Sequence, residues 1–128
     1  MTILGNNRSV VALKVAVVLL IVLYGILFGY YGWLKIHVSL ASEQTEIFES
    51  MRIEALKSNT VGAAENLRYV INYYPSGSKQ ETGSRLDKMV ERERASAVRD
   101  IIAYLNAKTG EDLGGDPAKW IQKYGNVQ

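Results

Sequence analysis

The sequence predicts an all-α protein with one N-terminal transmembrane helix followed by a small domain of three to four helices. Three observations carry this. Residues 15–34 form an uncharged apolar run, apolar residues recur at three- and four-residue spacings after it, and no segment reads as a strand. Residues 1–14 form a cytoplasmic arm and 15–34 a signal-anchor helix. Residues 35–58 form a juxtamembrane helix able to continue from the span, and 59–128 a helical domain. At 1.5 Å per residue, the 20 residues of VAVVLLIVLYGILFGYYGWL span about 30 Å, the hydrocarbon thickness of a bilayer. Lys14 can snorkel at the near end, and Tyr30, Tyr31 and Trp33 suit the headgroup level at the far end. Cleavage before Ser42, after Ser39-Leu40-Ala41, is the competing reading and would give a secreted helical protein. The apolar run is longer than the 7–15 residues usual in a signal peptide. No acidic residue precedes Glu43, so Arg8 and Lys14 before the span against Lys35 after it favour an extracytoplasmic (periplasmic) domain.

The elements after the span follow in order. Ile47, Phe48, Met51, Ala55 and Leu56 mark a helix over 43–57. Asn59-Thr60 offers the cap of a helix over 61–74, which Pro75 ends before a polar loop. Ser84 is an N-cap with Asp87 in the reciprocal position of a capping box, and that helix runs to about Lys108 before Gly110. Its apolar face carries Leu86, Val90, Ala97, Val98, Ile101, Tyr104 and Leu105, of which Val90, Val98, Ile101 and Leu105 are expected to pack on Leu67, Val70 and Ile71. Asp116-Pro117 opens a last short helix whose Trp120 and Tyr124 form a lid on the core.

Two stretches resemble known proteins. AENLRYVINYYPS, residues 64–76, is similar to the second helix of a tetratricopeptide-type hairpin, without a second copy to stack on. The longer stretch from Tyr73 to Tyr124, with YYPSGSKQ, GSRLD, TGEDLG and then DP and W, resembles small bacterial membrane-anchored proteins of unassigned activity. Its closing segment is similar to that of some HEAT-like helical proteins. The resemblance implies an anchored helical domain and brings no catalytic or binding residue with it.

The residues themselves exclude several chemistries. Without cysteine there is no disulfide, thiolate nucleophile or Cys-type metal site. His37 is the single histidine and cannot build a zinc site or a catalytic triad alone. Glu111, Asp112 and Asp116 lack the spacing of a calcium loop and read as a turn. From Glu43 onward the net charge is −1, so no nucleic-acid partner is expected. No cofactor and no metal is expected either.

What remains points to contacts. Arg85, Lys88, Arg92 and Arg99 share one helix sector, a solvated face or a contact for lipid headgroups or an acidic partner. Arg94 falls in the middle of the apolar face. Either it pairs with Asp87 or Glu91 in the core, or that face meets a partner carrying carboxylates. Gly25, Gly29 and Gly32 line one flank of the span, where a second helix can approach closely, making a homo-oligomer the runner-up. The expectation is a non-catalytic accessory or assembly subunit with the lipid bilayer and a protein as partners. The different-class alternative is a small membrane-bound enzyme using Asp, Glu and Arg around Arg94.

Overall fold

A computed structural model describes residues 3–126; the first two residues of the N-terminal arm and the last two of the chain lie outside it. Four helices follow one another: α1 Ile3–Lys57, α2 Thr60–Asn72, α3 Arg85–Thr109 and α4 Pro117–Tyr124, with no strand among the described residues. The chain divides into two units, Met1–Ile36 and His37–Gln128.

In the first unit the helix begins at Ile3, well before the apolar run. The arm is therefore helical, because no proline interrupts it and extending a helix is easier than starting one. The segment is apolar all round: Leu19, Leu20, Ile21, Tyr24 and Phe28 are each more than 60% exposed. Its most apolar window has a mean hydropathy of 2.8, long and apolar enough to cross a membrane. A helix with no polar face has nothing to present to water.

The second unit carries the core. Nothing breaks the helix between Leu34 and Ser58, so the predicted juxtamembrane helix is the end of α1 rather than a separate element. Ala41, Gln44, Phe48 and Ala55 are buried along it at helical spacing. Leu56, expected on that face, is 38% exposed instead. Asn59 starts α2, its Oδ1 accepting the Gly62 N–H at 2.8 Å. A Cβ on Gly62 would sit 2.9 Å from that of Ser58, so the turn is tight. The helix stops at Asn72, two residues short of the expected end. Tyr73 is extended and Tyr74 adopts φ 39°, ahead of Pro75, which disfavours a helical residue before it.

Ser84 caps α3 as expected, its Oγ accepting the Asp87 N–H at 3.1 Å, and Gly110 ends it at φ 71°. Asp116 caps α4 through the Ala118 N–H. Leu67 and Val70 from α2, Val90, Ala97, Ile101 and Leu105 from α3, and Trp120 from α4 complete the core, each nearly or fully inaccessible. Val98 and Ile71 are only partly buried at its edge. Trp120 is the predicted lid, with its Nε1–H donating to the Gly114 carbonyl at 2.8 Å. Tyr104 donates its hydroxyl to the Ser58 carbonyl, and Arg52 reaches Asp100 at 3.1 Å, fastening the end of α1 to α3.

Candidate functional site

Arg94 lies in the core of the second unit, 8% exposed, and its three side-chain nitrogens all donate to the protein. Nε meets the Glu91 carboxylate at 3.2 Å, as the spacing of the two residues suggested. The other partners are backbone. Nη1 donates to the Val70 carbonyl and at 3.3 Å to that of Ile71, while Nη2 donates to the Tyr74 carbonyl at 2.6 Å. The end of α2 accounts for this. The last carbonyls of a helix lack intrahelical donors, and here the chain turns extended at Tyr73 while Pro75 has no N–H to return to Ile71. A guanidinium from the neighbouring helix takes the place of a C-terminal cap. Its central carbon also lies over the Phe48 ring, 4.6 Å from the centroid.

Asp87 does not touch Arg94. Its carboxylate accepts from the Ser76 hydroxyl at 2.8 Å and from the Gly83 and Gly77 N–H groups at 2.8 and 3.3 Å. The capping box is thus half formed: Ser84 accepts the Asp87 N–H, while the Asp87 carboxylate ties the 76–83 loop. The Gly83 N–H first, then the Ser76 hydroxyl, hold the Asp87 carboxyl below the usual carboxylate range, with the charge of Arg94 adding to this. Residues 87 and 94 belong to one region, joined through the loop and the end of α2 rather than as an ion pair.

The basic residues of α3 behave differently. Arg85, Lys88, Arg92 and Arg99 are all exposed. Arg99 donates to Ser96 Oγ at 3.4 Å, and among the described residues none of the four forms an ion pair. Arg52, Arg68, Arg94 and Lys123 each have a carboxylate partner. Beside the stripe, a groove of about 370 Å³ lies against Ile71, Glu91, Arg94, Val98 and Arg99.

The acidic turn has structural employment throughout. Lys123 and Tyr124 both donate to Glu111, lowering its pKa, Lys123 more strongly. Asp112 accepts the Gly114 N–H, and Asp116 is the cap of α4. In the first unit, Gly25, Gly29 and Gly32 have open space where a Cβ would stand.

Sequence reasoning missed two features. Gln44 and Gln80 are buried amides, and the patterning gave no sign of them. A tyrosine cluster at the end of α2 was also missed: Tyr69 stacks on Tyr73 at 5.3 Å, and Tyr73 meets Tyr74 edge-on at 4.8 Å. The run of YVINYY was its only advance notice. Comparison of the chain with protein families, with characterised proteins and with solved structures finds no match.

Proposed function

We propose that this chain is a single-pass, membrane-anchored, non-catalytic accessory or assembly subunit, with its N-terminus cytoplasmic and residues 43–128 extracytoplasmic. It acts through protein contacts made by the α3 stripe of Arg85, Lys88, Arg92 and Arg99. One observation carries the reading. Arg52, Arg68, Arg94 and Lys123 meet carboxylates, whereas these four share one sector of α3, all exposed and, among the described residues, none with a carboxylate partner. Clustered like charges repel, so an acidic partner gains by neutralising them. Arg94 supports a contact protein over an enzyme, because its nitrogens already serve carbonyls and Glu91. Ala41 supports an uncleaved anchor: it is 6% exposed within the core, inside an uninterrupted helix, at the bond a peptidase would cut.

A photoreactive residue placed at Met89, exposed beside the stripe, tests the contact in intact cells, with exposed Gln122 as the control. A discrete adduct at 89, absent at 122 and lost on Arg92→Glu with Arg99→Glu, is the expected result. An adduct indifferent to those reversals, or none at 89, overturns the reading. A reporter fused after Gln128, active only outside the cytoplasm, and an intact mass retaining residues 1–41 test the topology.

A further inference from the structure

We propose that the basic stripe of α3, together with the groove beside it, is the seat of an acidic amphipathic helix supplied by a partner protein. The inference rests on the reading that this stripe meets an acidic partner, and it names what that partner presents. All the residues involved belong to the unit His37–Gln128. Arg85, Lys88, Arg92 and Arg99 follow one another at steps of three, four and seven residues, all exposed. They therefore stand in one sector over about 21 Å of α3. A second helix laid along α3 has the same pitch of about 5.4 Å, so carboxylates at the same steps on it fall opposite these cations.

The groove borders the stripe directly, because Arg99 belongs to both. Ala95, Val98 and Ile102 line it from α3 at three- and four-residue steps, and Ile71 of α2 and Pro117 of α4 complete its volume of about 370 Å³. Ile71, Val98 and Ile102 are only partly buried, so apolar surface stays open at the edge of the core. Ala95 is exposed and short, which lets another backbone come close. Glu91 would repel an acidic visitor, but Arg94 Nε holds its carboxylate at 3.2 Å. Among the described residues, Arg99 is then the lining cation without a carboxylate.

The chemistry selects the occupant. Complementary charge calls for carboxylates over the stripe, and the adjoining groove calls for apolar side chains next to them. A plain polyanion supplies the first and not the second. An extended acidic segment would leave its own N–H and C=O groups unanswered, since among the described residues no strand edge receives them. A helix satisfies its own backbone and carries both faces side by side. Its apolar edge enters against Val98 and Ile102 while its acids lie over Arg92 and Arg99.

The full chain in phosphatidylcholine nanodiscs is titrated with a fluorescein-labelled synthetic helix and binding is read by anisotropy. The helix carries glutamates at steps of three, four and seven residues, with leucines on the adjoining side. The same helix with glutamine for leucine should bind about tenfold more weakly, because the groove then receives no apolar side chain. Ala95→Gln adds bulk to the groove without charge. It should weaken the leucine helix several-fold and leave the glutamine helix unchanged, with far-UV circular dichroism as in the parent. Arg92→Glu with Arg99→Glu should abolish binding of both. Equal binding of the two helices, indifferent to Ala95→Gln, overturns the seat and leaves the stripe a bare charged face, such as an anionic lipid surface would meet. Binding of the leucine helix that survives the charge reversal overturns the acidic-partner reading itself. Saturable binding of neither helix overturns the seat, while an adduct at Met89 would keep the acidic-partner reading.

Discussion

Replacing Arg94 by leucine tests how the folded unit closes the end of α2. The side chain donates to the carbonyls of Val70, Ile71 and Tyr74 and to Glu91, and covers the Phe48 ring. A buried carbonyl left without a donor costs about 1–3 kcal/mol. Two of the three belong to residues with little access to water, since Val70 is fully buried and Ile71 partly so. Tyr74 is half exposed, and its carbonyl can recover a water molecule. Losing the contact with Phe48 adds about 0.5–2 kcal/mol. Against these stand the hydration regained by Glu91, whose side chain is 36% exposed, and the apolar surface leucine brings. The net expectation is a loss of about 3–5 kcal/mol, the range for removing one member of a buried charged contact. That is a large share of the 5–15 kcal/mol by which domains are usually stable.

Urea unfolding of the full chain in micelles, followed by Trp120 emission in a Trp33→Phe background, measures the effect. Arg94→Lys should recover only part of it, because a single ammonium cannot fork across three carbonyls and a carboxylate. An Arg94→Leu protein within about 0.5 kcal/mol of its parent would show that the α2 carbonyls are met by other means. Normal stability with a lost crosslink at Met89 would instead assign Arg94 to the partner.

Other perturbations probe separate parts. Leu105→Ala, at a fully buried position of α3, should cost ~2–5 kcal/mol in the same unfolding assay. The Asp87 carboxyl is held below its ordinary value of about 4, so its contribution is complete above that pH and fades as pH falls through the folded-state value. Asp87→Asn should therefore lower stability at neutral pH and flatten the acid limb, and an unchanged acid slope would show that the 76–83 loop does not depend on the charge. Gly25→Ile with Gly29→Ile should abolish the two-hybrid signal of the isolated span; an unchanged signal, or none in the parent, removes the helix pair.

The starts of α2, α3 and α4 and the end of α3 were legible because they are local. Asn59, Ser84 and Asp116 each accept a backbone N–H two or three residues ahead, and Gly110 takes the left-handed position its lack of a Cβ allows. Such residues act within one turn of chain, and their identity announces them. The apolar face of α3 was equally plain, since Val90, Ala97, Ile101 and Leu105 recur at helical spacing and are all buried. Where a neighbouring helix decides, the same reading failed. Leu56 fits the periodicity of α1 and yet faces outward, while Ala41 and Gln44, small or polar, are covered.

Arg94 shows why the candidate site was only half visible. A cation on an apolar face must find oxygens, and carboxylates on its own helix are the ones a sequence displays. Glu91 was indeed within reach, but the stronger claim came from carbonyls 20–24 positions back, which every residue carries and no letter marks. The missing clue was a deficit rather than a residue. A helix ending in Tyr-Tyr-Pro has neither a glycine to turn the chain nor a proline N–H to close the last turn, so it needs a donor from elsewhere. Read together, a helix without a C-cap and an arginine stranded on the next apolar face specify each other. The strained turn that results leaves Tyr69 and Tyr74 exposed around Lys79. The arginine that secures the end of α2 thereby also holds the aromatic surface, so Arg94→Leu should loosen the Tyr69, Tyr73 and Tyr74 rings, read as altered near-UV circular dichroism, even where the fold survives.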